Sequence, residues 1–173
     1  AAHPLRAIID RKSEEDMINS FIRMTMESEE KWMPTFPEIT GDSHRMNGNH
    51  AVAVILDGYR KGLRGFDVDS AYMFCRNALL HKSLLPWTRQ PLTDLDMFYH
   101  DSLYFPALNP GESETCPFVD PSERRQAVAV TLGHSYDSWC LSELASETGH
   151  KEDIDLFRRY ASAYKNLFNN GTG

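Results

Sequence analysis

The stretch Thr131-Leu132-Gly133-His134-Ser135-Tyr136-Asp137-Ser138-Trp139-Cys140 lies within a long helical pattern and decides the fold. Residues four apart lie on the same side of a helix, so a row of small and apolar residues at that spacing predicts a buried stripe. The row consists of Val128, Leu132, Tyr136, Cys140 and Leu144. A core position is expected for Trp139 as well.

The neighbouring row of this helix carries two ionisable side chains, His134 and Asp137, three residues apart. Burying a carboxylate is costly unless it is paired or hydrogen-bonded. Asp137 therefore has a purpose, and two remain open. It ties this helix to a neighbour, or it lines a pocket.

Length and composition are typical of a soluble globular domain. A chain of 173 residues can bury roughly two thirds of its unfolded surface. The net charge of -7 is spread over the chain, which argues against nucleic acid as a partner. No apolar run approaches the ~20 residues of a membrane span. The three cysteines lack metal-ligand spacing, and Cys75 and Cys140 are expected to be small core residues.

Helical patterns alternate with turns and two long loops. The predicted helices run from a cap at Ser13 to about Glu29, from His50 to about Gly62, from a cap at Asp67 or Asp69, briefly over 92–99, from Glu123 to about Gly149, and from Glu152 onward. No segment alternates convincingly with period two, so sheet content should be small. The sequence predicts an all-α fold of stacked helical hairpins, with the long loops gathered at one end.

Several separated motifs resemble a known family. They are His3-Pro4-Leu5, Met46-Asn47-Gly48-Asn49-His50-Ala51, Phe105-Pro106-Ala107-Leu108, Pro110-Gly111-Glu112, Arg125-Gln126-Ala127-Val128-Ala129-Val130-Thr131-Leu132, Tyr136-Asp137-Ser138-Trp139-Cys140-Leu141 and Tyr164-Lys165-Asn166-Leu167-Phe168. Together and in this order they resemble the catalytic helical domain of glycoside hydrolase family 92, the calcium-dependent α-mannosidases.

The resemblance implies an N-terminal β-sandwich followed by an (α/α)6 toroid. Residues 1–173 would be a partial catalytic domain, and the remainder of the polypeptide would supply the rest. The implied reaction is inverting exo-hydrolysis of α-linked mannose, α-1,2 linkages included, from a mannose-containing glycan. Ca²⁺ is the implied cofactor, with no ligands indicated here, and the implied location is periplasmic or secreted.

Inverting hydrolysis requires a carboxylic acid and a carboxylate base on opposite faces of the sugar. By resemblance, the general acid lies four residues before Met46, which is Asp42, and Glu38 is the alternative. The base belongs to a Gly-Asn-(Asp/Glu)-Asp motif that does not occur here, so the 173 residues alone are expected to be inactive. Gly133 stands where Glu is expected, and Ser138 where a second Asp is expected.

Further binding residues are carried over with their alternatives. His50 caps a helix or contacts the substrate, and Asp137 lines the pocket or only braces the fold. Arg125 and Gln126 hold the 110–121 loop or reach the sugar. The alternative to a core position for Trp139 is contact between its indole face and sugar C–H groups. The departures from the family pattern keep a second hypothesis open: a non-catalytic carbohydrate-binding or interaction module.

Overall fold

The computed structural model describes residues 2–169 and Gly171; positions 1, 170, 172 and 173 of the expected domain lie outside them. Within that part of the chain the α-helices are α1 Ala2–Ile9, α2 Arg11–Glu27, α3 Ala51–Arg60, α4 Val68–His81, α5 Asp94–Ser102, α6 Ala127–Thr148 and α7 Ile154–Ala161. Two 3₁₀ helices, Lys151–Asp153 and Ala163–Leu167, flank α7. Strands β1 Pro37–Glu38 and β2 Gly41–Asp42 form an antiparallel hairpin. The prediction of an all-α fold is confirmed.

Helix beginnings follow their capping side chains. The Asp10 carboxylate accepts a hydrogen bond from the Ser13 amide, so α2 begins at Arg11 and the prediction of Ser13 as the cap is wrong. Asp67 caps α4 by accepting from the amides of Asp69 and Ser70, which decides between the two predicted caps. In both α2 and α4, an aspartate side chain that accepts from an amide of the first turn sets the start of the helix.

Helix α6 starts four residues later than predicted. Arg124 and Gln126 adopt the left-handed conformation, with φ of 57° and 46°, and this prevents a helix from continuing back to Glu123. Its C-terminal end agrees with the prediction, because Gly149 has a φ of 93° that glycine adopts without strain.

Two helical hairpins pack side by side. Helix α6 lies against α7 and also contacts α3 and α4, while α1 and α2 pack on α3. Cys75 of α4 and Cys140 of α6 are both buried, as expected. None of the helices in the described residues combines the length and apolar character that a membrane crossing requires.

The predicted buried stripe of α6 is wrong for three of its five members. Cys140 and Leu144 are buried, but Val128, Leu132 and Tyr136 are about half exposed. Trp139 is 43% exposed, so it is not a core residue. The buried row is the other one: Val130, His134, Asp137 and Leu141. Apolar residues occur on every side of this helix, so periodicity did not select a face, and the partner helices did.

His134 is buried at the centre of the helix packing. Its Nε2 lies 3.3 Å from the Leu79 carbonyl oxygen and its Nδ1 2.9 Å from the Tyr99 hydroxyl. The carbonyl can only accept, so Nε2 donates and Nδ1 accepts from Tyr99, which defines a neutral ring. Burial lowers the pKa of His134 to about 4. It does not pair with Asp137.

We expect this buried histidine to make stability depend on pH. Unfolded His134 binds a proton near pH 6.5 and the folded form only near pH 4, so the free energy of unfolding falls as pH decreases between these values. At about 1.4 kcal/mol per unit of pKa difference, the loss is roughly 3 kcal/mol.

Urea unfolding at pH 7 and pH 4.5, on the protein and on His134→Gln, measures this loss. The variant should lose less stability between the two pH values than the parent, since its side chain does not titrate. Equal losses would show that His134 is not responsible.

Candidate functional site

Asp137 joins the middle of α6 to the start of α3. Its Oδ1 accepts from His50 Nδ1 at 2.6 Å, and its Oδ2 accepts from the Asn49 amide at 2.6 Å. The carboxylate is fully buried, whereas the His50 side chain is 52% exposed. Both carboxylate oxygens are therefore satisfied from within the protein, and the opposite edge of the imidazole reaches solvent.

Two glycines leave room for the His50 ring. Gly48 has a φ of 82°, and a Cβ there would lie 2.7 Å from His50 Cε1, so a side chain would displace the ring. On α6, a Cβ at Gly133 would lie 3.7 Å from the same carbon. The glycine that replaces the expected glutamate therefore stands next to the His50 ring, at a distance where a Cβ would make an ordinary van der Waals contact.

The buried partner controls the protonation of His50. The hydrogen bond that His50 donates to Asp137 raises the pKa of His50, and burial opposes this shift without cancelling it. Because Asp137 fixes the Nδ1–H tautomer, Nε2 is the nitrogen left for a ligand. In the neutral ring Nε2 accepts a hydrogen bond, and in the protonated ring, which Asp137 favours, it can donate one to a hydroxyl group or stabilise an anion.

Gln126 and Trp139 are connected to the His50–Asp137 pair through Asn47 and Tyr136, respectively. Gln126 Oε1 accepts from Asn47 Nδ2 at 2.9 Å, which links the α6 N-terminus to the loop that carries His50. The Trp139 ring lies 6.3 Å from the Tyr136 ring at an angle of 21°, and Tyr136 lies edge-on to His50 at 6.2 Å. These side chains extend the site along one face of α6.

Arg125 is occupied elsewhere. Its Nε and Nη2 donate to Glu114 at 2.7 and 2.8 Å, and its Nη1 donates to the Pro106 carbonyl. Hydrogen bonds from Arg125 lower the pKa of Glu114 to about 2. The structure thus places Arg125 as a brace of the 106–114 loop, one of its two predicted roles.

Asp42 lies at the base of the β1–β2 hairpin with its carboxylate enclosed. It accepts from the amides of Thr35 at 2.9 Å, Phe36 at 2.7 Å and His44 at 3.1 Å. Burial alone would raise the pKa of Asp42, but the amide bonds and the charge of Lys82 outweigh it and lower the pKa. This environment favours the ionised form.

Lys82, at the end of α4, is a residue that sequence reasoning missed. It is buried, its Nζ contacts Thr35 Oγ1, and burial lowers its pKa to about 8. No sequence signal distinguishes it from a solvated lysine at a helix end. Asn47 could have been found, because it belongs to the motif that contains His50.

Glu38 lies on β1 of the same hairpin and is partly exposed. It forms an ion pair with Arg45 at 3.3 Å, and exposed pairs of this kind contribute only about 0–1 kcal/mol. None of the described hydrogen bonds or ion pairs of Asp42 and Glu38 reaches His50 or Asp137. The structure therefore pairs His50 with Asp137, connects Gln126 and Trp139 to them through Asn47 and Tyr136, and places the two predicted acids on the β1–β2 hairpin.

The carboxylate and histidine side chains of the chain are the first candidates for metal ligands. Calcium takes six to eight oxygen ligands, carboxylates prominent among them. Residues 2–169 contain no group of three or more His, Cys, Asp or Glu side chains arranged to hold a metal ion.

The fold and the site define a helical domain in which a histidine–aspartate pair joins the middle of α6 to the end of the loop that precedes α3. The sequence profile described as the glycosyl hydrolase family 92 catalytic domain matches residues 1–173. The chain belongs to this family, as its motifs predicted.

Solved structures with the same fold support this placement. The family GH92 α-mannosidase BT3965 from Bacteroides thetaiotaomicron, in complex with mannoimidazole, has a TM-score of 0.77 and 24% identity over 98% of this chain and 19% of that one. The family GH92 inverting mannosidase BT2199 from Bacteroides thetaiotaomicron VPI-5482 has a TM-score of 0.79 and 24% identity over 100% of this chain and 21% of that one. The chain spans about a fifth of the length of these structures. No curated protein matches the sequence.

We expect Asp137→Asn to lower the pKa of His50, because the amide removes the charge that stabilises the imidazolium. In the parent, the stability from this pair is complete below pH 6.5 and declines as pH rises through the higher pKa of folded His50. NMR titration of the His50 Cε1–H signal measures both values.

Asp155→Asn, on the exposed side of α7, is the matched control and should leave the His50 titration unchanged. A His50 titration that is the same in Asp137→Asn and the parent would contradict the assigned pairing.

Proposed function

We propose that the protein containing this chain is an inverting exo-α-mannosidase that releases α-linked mannose, α-1,2-linked mannose included, from glycans. The family match over all 173 residues carries the proposal. The similarity in fold to a family member described as an inverting mannosidase supports the stereochemistry. A mannose-containing glycan or oligosaccharide is the proposed partner.

The chain forms part of an (α/α)6 toroid in this proposal. The side-by-side packing of the α3–α4 and α6–α7 hairpins supports it, since a toroid is built by repeating such pairs. Coverage of about a fifth of the matched structures supports a role for the remainder of the polypeptide, which would supply the β-sandwich, the other hairpins and the general base.

His50 is the proposed substrate contact within these residues. In the protonated ring Nε2 donates to a hydroxyl group of the sugar, and Asp137 orients the ring and favours this form by raising the pKa of His50. A hydroxyl bound by a fixed donor is strongly discriminated from an epimer that lacks it, because the donor would then lose its partner. Gln126 supports the loop through Asn47, Trp139 offers its indole face to sugar C–H groups, and Arg125 acts through the loop it braces.

The chain contributes the acid side of the reaction. Departure of the leaving oxygen requires proton transfer from a carboxylic acid, while water attacks the anomeric carbon from the opposite face. Asp42 and Glu38 are the two candidates for this acid; Glu38 lies on β1 and Asp42 on β2 of the same hairpin.

Calcium remains a proposal based on the family resemblance. Its ligands would come mainly from parts of the polypeptide outside these residues, since the described carboxylates and histidines do not cluster around a metal position. Bound calcium would supply polarisation of sugar hydroxyls. A periplasmic or secreted location is likewise proposed from the resemblance.

A carbohydrate-binding module without turnover is the second candidate. The enclosed Asp42 carboxylate favours it, because three amide donors and a nearby lysine oppose protonation of this acid. Gly133 and Ser138 favour it as well, since each lacks the acidic side chain expected at its position.

Hydrolysis of α-1,2-mannobiose by the full-length protein tests the function. Proton NMR during the first minutes should detect β-mannose, because inversion at an α-linkage releases the β-anomer. His50→Ala should lower kcat/KM by about tenfold or more through loss of a hydrogen bond to the substrate.

Asp155→Asn is the control and should retain full activity. First release of α-mannose would contradict the inverting mechanism. Binding of mannobiose by calorimetry, without any release of mannose, would favour the binding module.

A further inference from the structure

Asp42 is tied to the backbone on both sides of the hairpin. The amides of Thr35 and Phe36 precede β1, and the amide of His44 follows β2. One carboxylate therefore closes the loop from both directions. His44 Nδ1 lies 3.0 Å from Asp42 Oδ2, though outside hydrogen-bond geometry.

Lys82 extends this anchor to the end of α4. Its Nζ contacts Thr35 Oγ1, and the side chain is almost fully buried. Thr35 connects Lys82 to Asp42, because its amide donates to the Asp42 carboxylate and its hydroxyl contacts Lys82 Nζ. Asp42 and Lys82, joined through Thr35, therefore attach the hairpin to the end of α4.

Glu38 differs from Asp42 in each of these respects. It is carried by the hairpin that Asp42 fixes, it pairs with Gly41 across the strands, and its described side-chain contact is the exposed ion pair with Arg45. Its side chain is longer by one methylene group. A proton donor must exchange its proton with solvent, and the Glu38 side chain, 32% exposed against 13% for Asp42, meets this condition better.

We propose that Asp42, with Lys82, is a positioning residue that holds the hairpin in place, and that Glu38 is the proton donor. This inference rests on the proposed function. As the C1–O bond breaks, the electron pair stays on the leaving oxygen, which takes the Glu38 proton. The attacking water gives its proton to a general base elsewhere in the polypeptide, and the Glu38 carboxylate is reprotonated from solvent.

Substrates that differ in their leaving group separate the two roles. Dinitrophenolate leaves without a proton, whereas the alcohol of α-1,2-mannobiose requires one. In the full-length protein, Glu38→Gln should lower turnover of mannobiose about 10²–10⁴-fold and that of dinitrophenyl α-mannoside much less. Asp42→Asn should lower turnover of both substrates by the same factor, because it displaces the hairpin rather than removing the proton.

Hydrogen exchange gives a readout that is independent of activity. Asp42→Asn and Lys82→Met should both raise exchange at the amides of residues 35–44, while Glu38→Gln and the control Asp155→Asn should not. Selective loss on mannobiose in Asp42→Asn, with unchanged exchange, would overturn the proposal and assign the donor to Asp42. Equal turnover of both substrates by Glu38→Gln and the parent would also overturn it.

Failure of the proposed function has a different signature. If the parent protein hydrolyses neither substrate, the mannosidase proposal fails. The exchange measurement still decides the anchor in that case, because protection of residues 35–44 that is unchanged in Asp42→Asn contradicts a positioning role.

Discussion

The hydrogen bonds of the buried Asp137 carboxylate are the constraint on which the site depends. They join α6 to the loop before α3, fix which imidazole nitrogen of His50 faces solvent, and hold the Asn49 amide at the helix start. A buried carboxylate is tolerated only with such partners. Asp137 is fully buried and ties α6 to the loop before α3, which is the first of the two purposes left open by the sequence, and the same bond orients the half-exposed His50 side chain.

Helix existence was predictable from the sequence, and the exposed face of α6 was not. Capping aspartates and glycines are local signals, so the start of α4 at Asp67 and the end of α6 at Gly149 could be located from neighbouring residues alone. The start of α6 depends on the left-handed backbone conformation of Gln126, which no local sequence pattern predicts. Which side of α6 is buried depends on α4 and α7, because apolar residues surround the helix and its own periodicity is uninformative.

The candidate site was predictable to a similar extent. His50 and Asp137 could be named from motifs and from the cost of burying a carboxylate, and the structure brings them within 2.6 Å. The surroundings of Asp42 could not be named, because its donors are backbone amides and its charged neighbour, Lys82, lies 40 residues away in the sequence. A motif identifies the type of residue at a position, and only the fold determines whether its acid group is free.

The most direct measurement is an experimental structure of the full-length protein with mannoimidazole, the ligand present in one of the related structures. We predict that His50 Nε2 lies within hydrogen-bonding distance of the ligand, with Nδ1 still bound to Asp137. A ligand bound away from this loop, or a His50 ring covered by another part of the polypeptide, would contradict the role of His50 as a substrate contact.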